Sequence, residues 1–372
     1  MEAAQDYRES SVRARAARGA ATASGASFDW TFILLCTWLT GGIFLDGWAH
    51  NHGKVDQSFF TPWHAILYSG YLAVAIFFVA TILRNHARGA PWRRSYPSGY
   101  GAAVIGVPVF AVAGVGDLLW HTLFGIEKGV EGLVSPSHLG LALGATLILT
   151  GPLRAAWRRS APDAAERWRT LLPALLALTY IFSLLVFFTQ FAQPIVKSRA
   201  NLQITDIVIT YFPFDTSNDP NLSAELGIAS ILLQAAIMAG IALVLVRRWR
   251  LPLGTFALLF GLNGLLISFL AGRTSIIGVM LVSAFIGLLV DALNVALRPT
   301  PGRAAAMRAF GFSVPFIYNL IYFAALYVTY GEFGWSVHLW TGAIVMAGIV
   351  GLLLSFLVVP PQMPAQTPLA GD

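Results

Sequence analysis

The chain reads as an all-α, polytopic membrane protein, a helix bundle of about ten transmembrane helices with both termini cytoplasmic. Three observations predict this. The 372 residues are 56% hydrophobic, 13% aromatic and 11% charged, with a mean hydropathy of +0.68, far from the balance of a soluble domain. Apolar stretches long enough to cross ~30 Å of hydrocarbon recur along most of the length. The basic residues alternate with those stretches in a way that orients them.

In chain order the spans are expected at about 28–50, 62–83, 100–121, 136–155, 170–192, 223–246, 252–272, 274–297, 309–330 and 336–359. The seventh and eighth are separated only by Arg273 and its neighbours, so a tight turn and a break in one bent segment are both open, and the count is nine or ten. With the N-terminus inside, 19 of the 24 Lys and Arg residues fall on the cytoplasmic side. The remainder, Lys54, Lys128, Lys197, Arg199 and Arg273, fall outside, as the positive-inside rule requires. The high pI therefore reflects topology, and no nucleic-acid partner is implied.

Four regions follow. Residues 1–27, rich in Ala, Arg and Ser, read as a disordered basic cytoplasmic arm. Residues 28–155 form a four-helix unit of two repeated hairpins. Residues 156–359 form a six-helix unit whose outer loop, 193–222, holds the apolar run LQITDIVITYF, suited to a surface lid or a docking face. Residues 360–372 are a Pro-rich disordered tail. The first span reads as uncleaved, because it ends in Asp46 and His50. The expected location is the inner, cytoplasmic membrane, with the hairpin turns of the four-helix unit facing out.

Those turns carry one pattern twice: Asp46, His50 and His64 in LDGWAHNHGKVDQSFFTPWH, then Asp117, His121 and His138 in GDLLWHTLFGIEKGVEGLVSPSH. An acid and a histidine four residues apart share one helix face. Thr61-Pro62 and Ser135-Pro136 then read as an N-cap hydroxyl with proline at the first helical position, which puts His64 and His138 in a first turn. Each hairpin thus converges one carboxylate and two imidazoles. Isolated ionisable groups at that depth are costly, and the outer side has few cations to pair them. The only cysteine, Cys36, lies inside the first span, so a metal would take nitrogen and oxygen ligands. Copper suits that set, as do iron and zinc.

The tract Asp46-x3-His50, followed by Asp56, Ser58, Phe59 and Thr61-Pro62-Trp63-His64, resembles the C subunit of the copper membrane monooxygenases, the particulate methane and ammonia monooxygenase family. There an Asp-x3-His and an acidic-Ser/Thr-Phe-Thr-Pro-x-His run supply a copper site, and Asp46, His50 and His64 match it one by one. The family's second group, Asn-x3-His with a further His, is matched by Asp117, His121 and His138, with Asp for Asn and a longer loop. That departure implies tighter binding or a different metal preference. The resemblance covers about residues 40–145. It implies a copper-dependent oxidoreductase that hydroxylates an apolar small molecule, working with other membrane subunits or a periplasmic copper protein.

Further ligand candidates are His52, two residues past His50; Glu131, with Glu127, in the longer second loop; and His338, at the same outer level in the last span. Asp291 in the eighth span invites a proton-delivery role, or pairing with Asn294 or an arginine. Trp48, Trp63 and Trp120 flank the ligands as an aromatic belt or an apolar pocket. Gly140 and Gly144 form a small-x3-small stripe suited to close packing within or between chains. The competing functions are metal binding or transport, and a metal-stabilised subunit of a membrane complex.

Overall fold

A computed structural model describes residues 25–54, 59–127, 129–159, 167–194, 222–272, 275–331 and 334–361. The expectations for most of the N-terminal arm, for the loop 193–222 beyond Pro194, for Asp56 and Ser58, for Lys128 and Arg273, and for the tail beyond Pro361 lie outside the described residues. Ten long helices occur among those described: α1 Ala26–Asn51, α2 Pro62–Ala87, α3 Gly101–Phe124, α4 Pro136–Arg158, α5 Arg167–Phe188, α6 Leu222–Arg248, α7 Thr255–Leu270, α8 Ile276–Leu297, α9 Ala304–Tyr330 and α10 Val337–Val358. Nine are long and apolar enough to span a bilayer, and α7 is a shorter apolar helix of 16 residues. The protein is a multi-pass, all-helical membrane protein. Its lipid-facing positions are apolar, with Ile76, Val112, Leu123 and Val328 all exposed. The seventh and eighth spans are separate helices, divided after Gly272, whose φ of +61° favours glycine.

The chain divides into two compact units. The first holds α1 to α5 and residues 258–284, and the second holds residues 192–257 and the chain from Phe285 onward, so α7 and α8 contribute to both.

In the first unit α1 packs on α2, α4 and α5, and α3 packs on α4. Missing side chains set the closeness of the hairpins. A Cβ on Gly42 would lie 2.6 Å from the Leu67 Cα, and one on Gly144 would lie 2.7 Å from the Phe110 backbone nitrogen. The stripe holding Gly140 and Gly144 therefore serves packing of α4 on α3 within the chain. At the opposite end from the ligand tracts, Asp29 is buried and accepts from the Tyr100 hydroxyl at 2.7 Å and from Arg159 at 2.5 Å. This ties the start of α1 to the start of α3 and the end of α4, and pairing of that kind is what a buried carboxylate requires.

In the second unit α6, α9 and α10 surround a core that includes Ile231, Phe323, Trp335 and Ile344. Arg308 binds the Ser355 and Val359 carbonyls at the end of α10, where a helix C-terminus favours a cation. Among the described residues, Asp291 has neither a bond to Asn294 nor an ion pair with an arginine. Its carboxylate accepts from the backbone N–H groups of Gly254, Phe256 and Ala257 at 3.1 to 3.2 Å, capping the start of α7 from a neighbouring helix. Its burial is explained by that capping, with no proton path needed.

Candidate metal centre

The two tracts converge. Asp46 and His50 lie in the last turns of α1, His64 in the first turn of α2, Asp117 and His121 in the last turns of α3, and His138 in the first turn of α4. Ligand atoms of Asp46, His50 and His64 lie within 4.8 Å of one another, and so do those of His64, Asp117 and His121. His64 belongs to both groups and joins them. The His138 ring centroid is 5.6 Å from that of His121 and 6.3 Å from that of His50. All six residues therefore share one site at the mouth of four helices.

Local structure aims each ring. The Thr61 hydroxyl accepts from the His64 backbone N–H at 3.2 Å, the N-cap that Thr61-Pro62 predicts. Ser135 occupies the equivalent position on α4 but makes no backbone cap; its hydroxyl lies 2.9 Å from Nδ1 of His138 instead. The Nδ1–H of His64 donates to the Phe59 carbonyl at 2.6 Å, and that of His138 to the Gly132 carbonyl at 2.5 Å. Nδ1 of His121 is 3.4 Å from the Gly125 carbonyl. A carbonyl only accepts, so Nδ1 carries the proton and Nε2 of a neutral ring presents its lone pair inward. Backbone partners of this kind are how proteins orient metal-binding imidazoles.

Those lone pairs meet carboxylate oxygens. Nε2 of His64 lies 3.4 Å from Oδ1 of Asp46, and Nε2 of His50 lies 3.8 Å from Oδ2. Oδ1 of Asp117 lies 3.4 Å from Nε2 of His121 and 3.2 Å from Nε2 of His138. Lone pair facing lone pair in a buried site is repulsive unless a cation, proton or metal, is shared between them. Among the described residues, nine buried side-chain atoms lack a hydrogen-bond partner, and six of them are here: Asp46 Oδ1, His50 Nε2, Asp117 Oδ1, His121 Nε2 and both oxygens of Glu127. Unsatisfied polar atoms are rare in native interiors. The four on Asp46, His50, Asp117 and His121 are inward-facing donors, and their concentration fits a bound metal; buried nitrogen and oxygen ligands suit copper, iron or zinc.

The additional candidates sort differently. His52 turns away: its Nδ1–H donates to the Trp48 carbonyl at 2.7 Å, and its ring stacks on Trp48. Glu131 is exposed in a short helix, Glu131–Val134. Glu127 supplies the loop carboxylate, with Oε2 3.1 Å from Nδ1 of His121. The Gly125 backbone, at φ +83° and ψ −179°, turns the chain back over the end of α3, a conformation essentially restricted to glycine. His338 is exposed in the first turn of α10, in the second unit.

Tyr68 is a residue the motif spacing does not single out. It stands one turn past His64, and its hydroxyl donates to Oδ2 of Asp117 at 3.4 Å. A Cβ on Gly114 would lie 2.8 Å from its ring, so glycine there makes the space. Its only sequence signal is the i, i+4 relation to a ligand histidine. Phe59 covers the site, its ring 4.6 Å from His64, 5.7 Å from Tyr68 and 6.2 Å from His121. Trp48 and Trp63 meet edge to face at 5.9 Å beside it.

Compared with protein-family models, curated proteins and solved structures, the chain matches none of them.

Proposed function

We propose that the protein is a membrane-embedded copper protein whose centre is held by Asp46, His50, His64, Asp117, His121 and His138, and that it hydroxylates an apolar substrate with dioxygen. The observation that carries the metal is the convergence of nitrogen and oxygen donors from four helices onto one site, where Asp46 Oδ1, His50 Nε2, Asp117 Oδ1 and His121 Nε2 are buried without a hydrogen-bond partner. The choice of copper rests on the likeness of the first tract to the copper membrane monooxygenase C subunit. Copper bound there would supply one-electron redox chemistry and an open position for dioxygen. Hydroxylation of a C–H bond places one oxygen atom in the product and the other in water, consuming two electrons and two protons from an external reductant.

The chain's own residues have definable parts in this reading. The carbonyls of Phe59 and Gly132 hold two imidazoles with Nε2 inward. Tyr68 occupies the second oxygen of Asp117, which leaves Oδ1 for the metal. Phe59, Trp48 and Trp63 surround the ligands with aromatic surface, which excludes water and accepts an apolar substrate from the bilayer. The basic-residue pattern supports a site at the outer face of the inner membrane, where a periplasmic copper protein or partner subunits would reach it.

The test is metal analysis with EPR on membranes containing the wild type and the His50→Ala, His64→Ala double variant. Stoichiometric copper with a nitrogen-coordinated Cu(II) signal that the variant loses supports the centre. Oxygen uptake stimulated by a hydrocarbon or lipid then supports the activity. Iron or zinc in place of copper sinks the copper reading. A fully metalated protein with no oxygen uptake favours a second reading, a structural metal clamping two hairpins, which the four-helix origin of the ligands also fits.

A further inference from the structure

We infer that Glu127 is a positioning residue for His121 and that its carboxylate biases the metal position built on Asp117, His121 and His138 toward a divalent over a univalent ion. This rests on the proposed metal centre and assigns it a redox preference.

The observations lie in the longer loop of the second hairpin. Three rings at the site have a described Nδ1 contact. Those of His64 and His138 face neutral carbonyls, whereas Nδ1 of His121 has Glu127 Oε2 beside it at 3.1 Å, closer than the Gly125 carbonyl at 3.4 Å. Both oxygens of the Glu127 carboxylate are buried and, among the described residues, neither has a hydrogen-bond partner, so Oε2 meets the His121 ring as a close electrostatic contact. The Gly125 backbone turns the chain so that residue 127 returns over α3. The ring presents its other nitrogen, Nε2, to Asp117 Oδ1. The order is therefore carboxylate, imidazole, ligand site.

A carboxylate behind a ligating imidazole fixes the ring, raises its basicity and strengthens its bond to a cation. Asp117 and Glu127 each bring a carboxylate to this position, and Asp46 brings a third to the shared site, which favours a divalent ion. After one-electron reduction the same surroundings are left with an excess negative charge, and burial reduces the screening of that imbalance. The oxidised ion is stabilised more than the reduced one, so the potential of this position is lowered.

The experiment compares the full-length wild type with Glu127→Gln, an isosteric change that removes the charge. Copper stoichiometry, Cu(II) and Cu(I) affinities by competition, and an EPR-monitored redox titration are measured on both. The expected result is unchanged stoichiometry, a Cu(II) affinity at one position about 10 to 100-fold weaker, and Cu(I) affinity nearly unchanged. For a one-electron couple this is a rise in potential of about 60 to 120 mV. Glu127→Asp keeps the charge one methylene further back and is expected to shift the potential in the same direction by less. If the Gln variant does not fold, the Asp variant alone decides.

Potentials equal to wild type in both variants, or equal loss of Cu(I) and Cu(II) binding, overturn the inference and leave Glu127 a packing residue. A wild type that binds no copper is seen in the stoichiometry before any potential is read, and overturns the metal centre and this inference together.

Discussion

The hydroxyl of Tyr68 on α2 donates to Oδ2 of Asp117 on α3 at 3.4 Å, so the two hairpins that carry the repeated ligand tracts are joined at a carboxylate belonging to the site. That bond holds one oxygen of Asp117 while Oδ1 faces His121 and His138. Tyr68→Phe is expected to retain the fold and the metal but to weaken metal affinity by roughly tenfold, the lower end for loss of a hydrogen bond to a ligand. Competition with a chelator of known affinity measures it; unchanged affinity would remove Tyr68 from the site's machinery.

Asp117 itself contacts two imidazoles, so its replacement has a larger effect than that of its supporter. Asp117→Asn keeps the shape but removes the anionic donor. We expect metal content to drop by at least one ion per chain, with the thermal transition of the metal-free protein little changed. Equal metal content in Asp117→Asn and wild type, by elemental analysis, would contradict the assignment.

In the proposed centre metal occupancy and stability would be linked, because an ion held by residues from four helices would bind the folded arrangement alone. At a free metal concentration 100 times the dissociation constant, the bound ion stabilises by about 2.7 kcal/mol. Chelator treatment of the wild type should lower its unfolding temperature in detergent, and readdition of the metal should restore it. A His50→Ala, His64→Ala protein should respond much less to either treatment.

Asp291 makes the contrasting case of a buried acid with a structural task. Three backbone N–H groups at the start of α7 lose their acceptor when it is removed. Asp291→Ala is expected to destabilise by about 1 to 3 kcal/mol, and metal content per folded chain should stay at the wild-type level. Wild-type stability with impaired metal loading would reverse the assignment.

The close approach of α3 and α4 gives a packing prediction. A side chain at Gly144 would meet the Phe110 backbone, which cannot yield as a flexible side chain can. Gly144→Val should cost about 1 to 3 kcal/mol by overpacking and reduce metal occupancy by displacing His138, six residues away on the same helix. Urea or thermal denaturation in detergent, with metal analysis, checks both parts.

The all-α membrane class, the helices in order and the six ligand candidates were legible in the sequence because each is a local property. Hydropathy over a span, an i, i+4 pair on one helix face, and a hydroxyl with proline at a helix start depend on neighbours a few residues away. Thr61 shows how far this reaches, since its cap to the His64 backbone is readable from four residues. Ser135 shows the limit: it sits at the same helix position, yet its hydroxyl turns to the His138 ring.

What only the tertiary structure decided is which distant groups meet. His64 joins both triads because α1 to α4 pack with their ligand ends together, and no spacing along one hairpin encodes that. Glu127 and Glu131 look alike in the loop, but the glycine turn at 125 directs the first to His121 and leaves the second exposed. His52 and Asp291 fit a ligand or a proton carrier by residue type. They are occupied instead by the Trp48 carbonyl and by the N–H groups of α7. The physical reason is common to all of them: local patterns set where a side chain starts and which way its helix face points, whereas a buried polar atom is assigned by whichever complementary group the packing of other helices delivers to it.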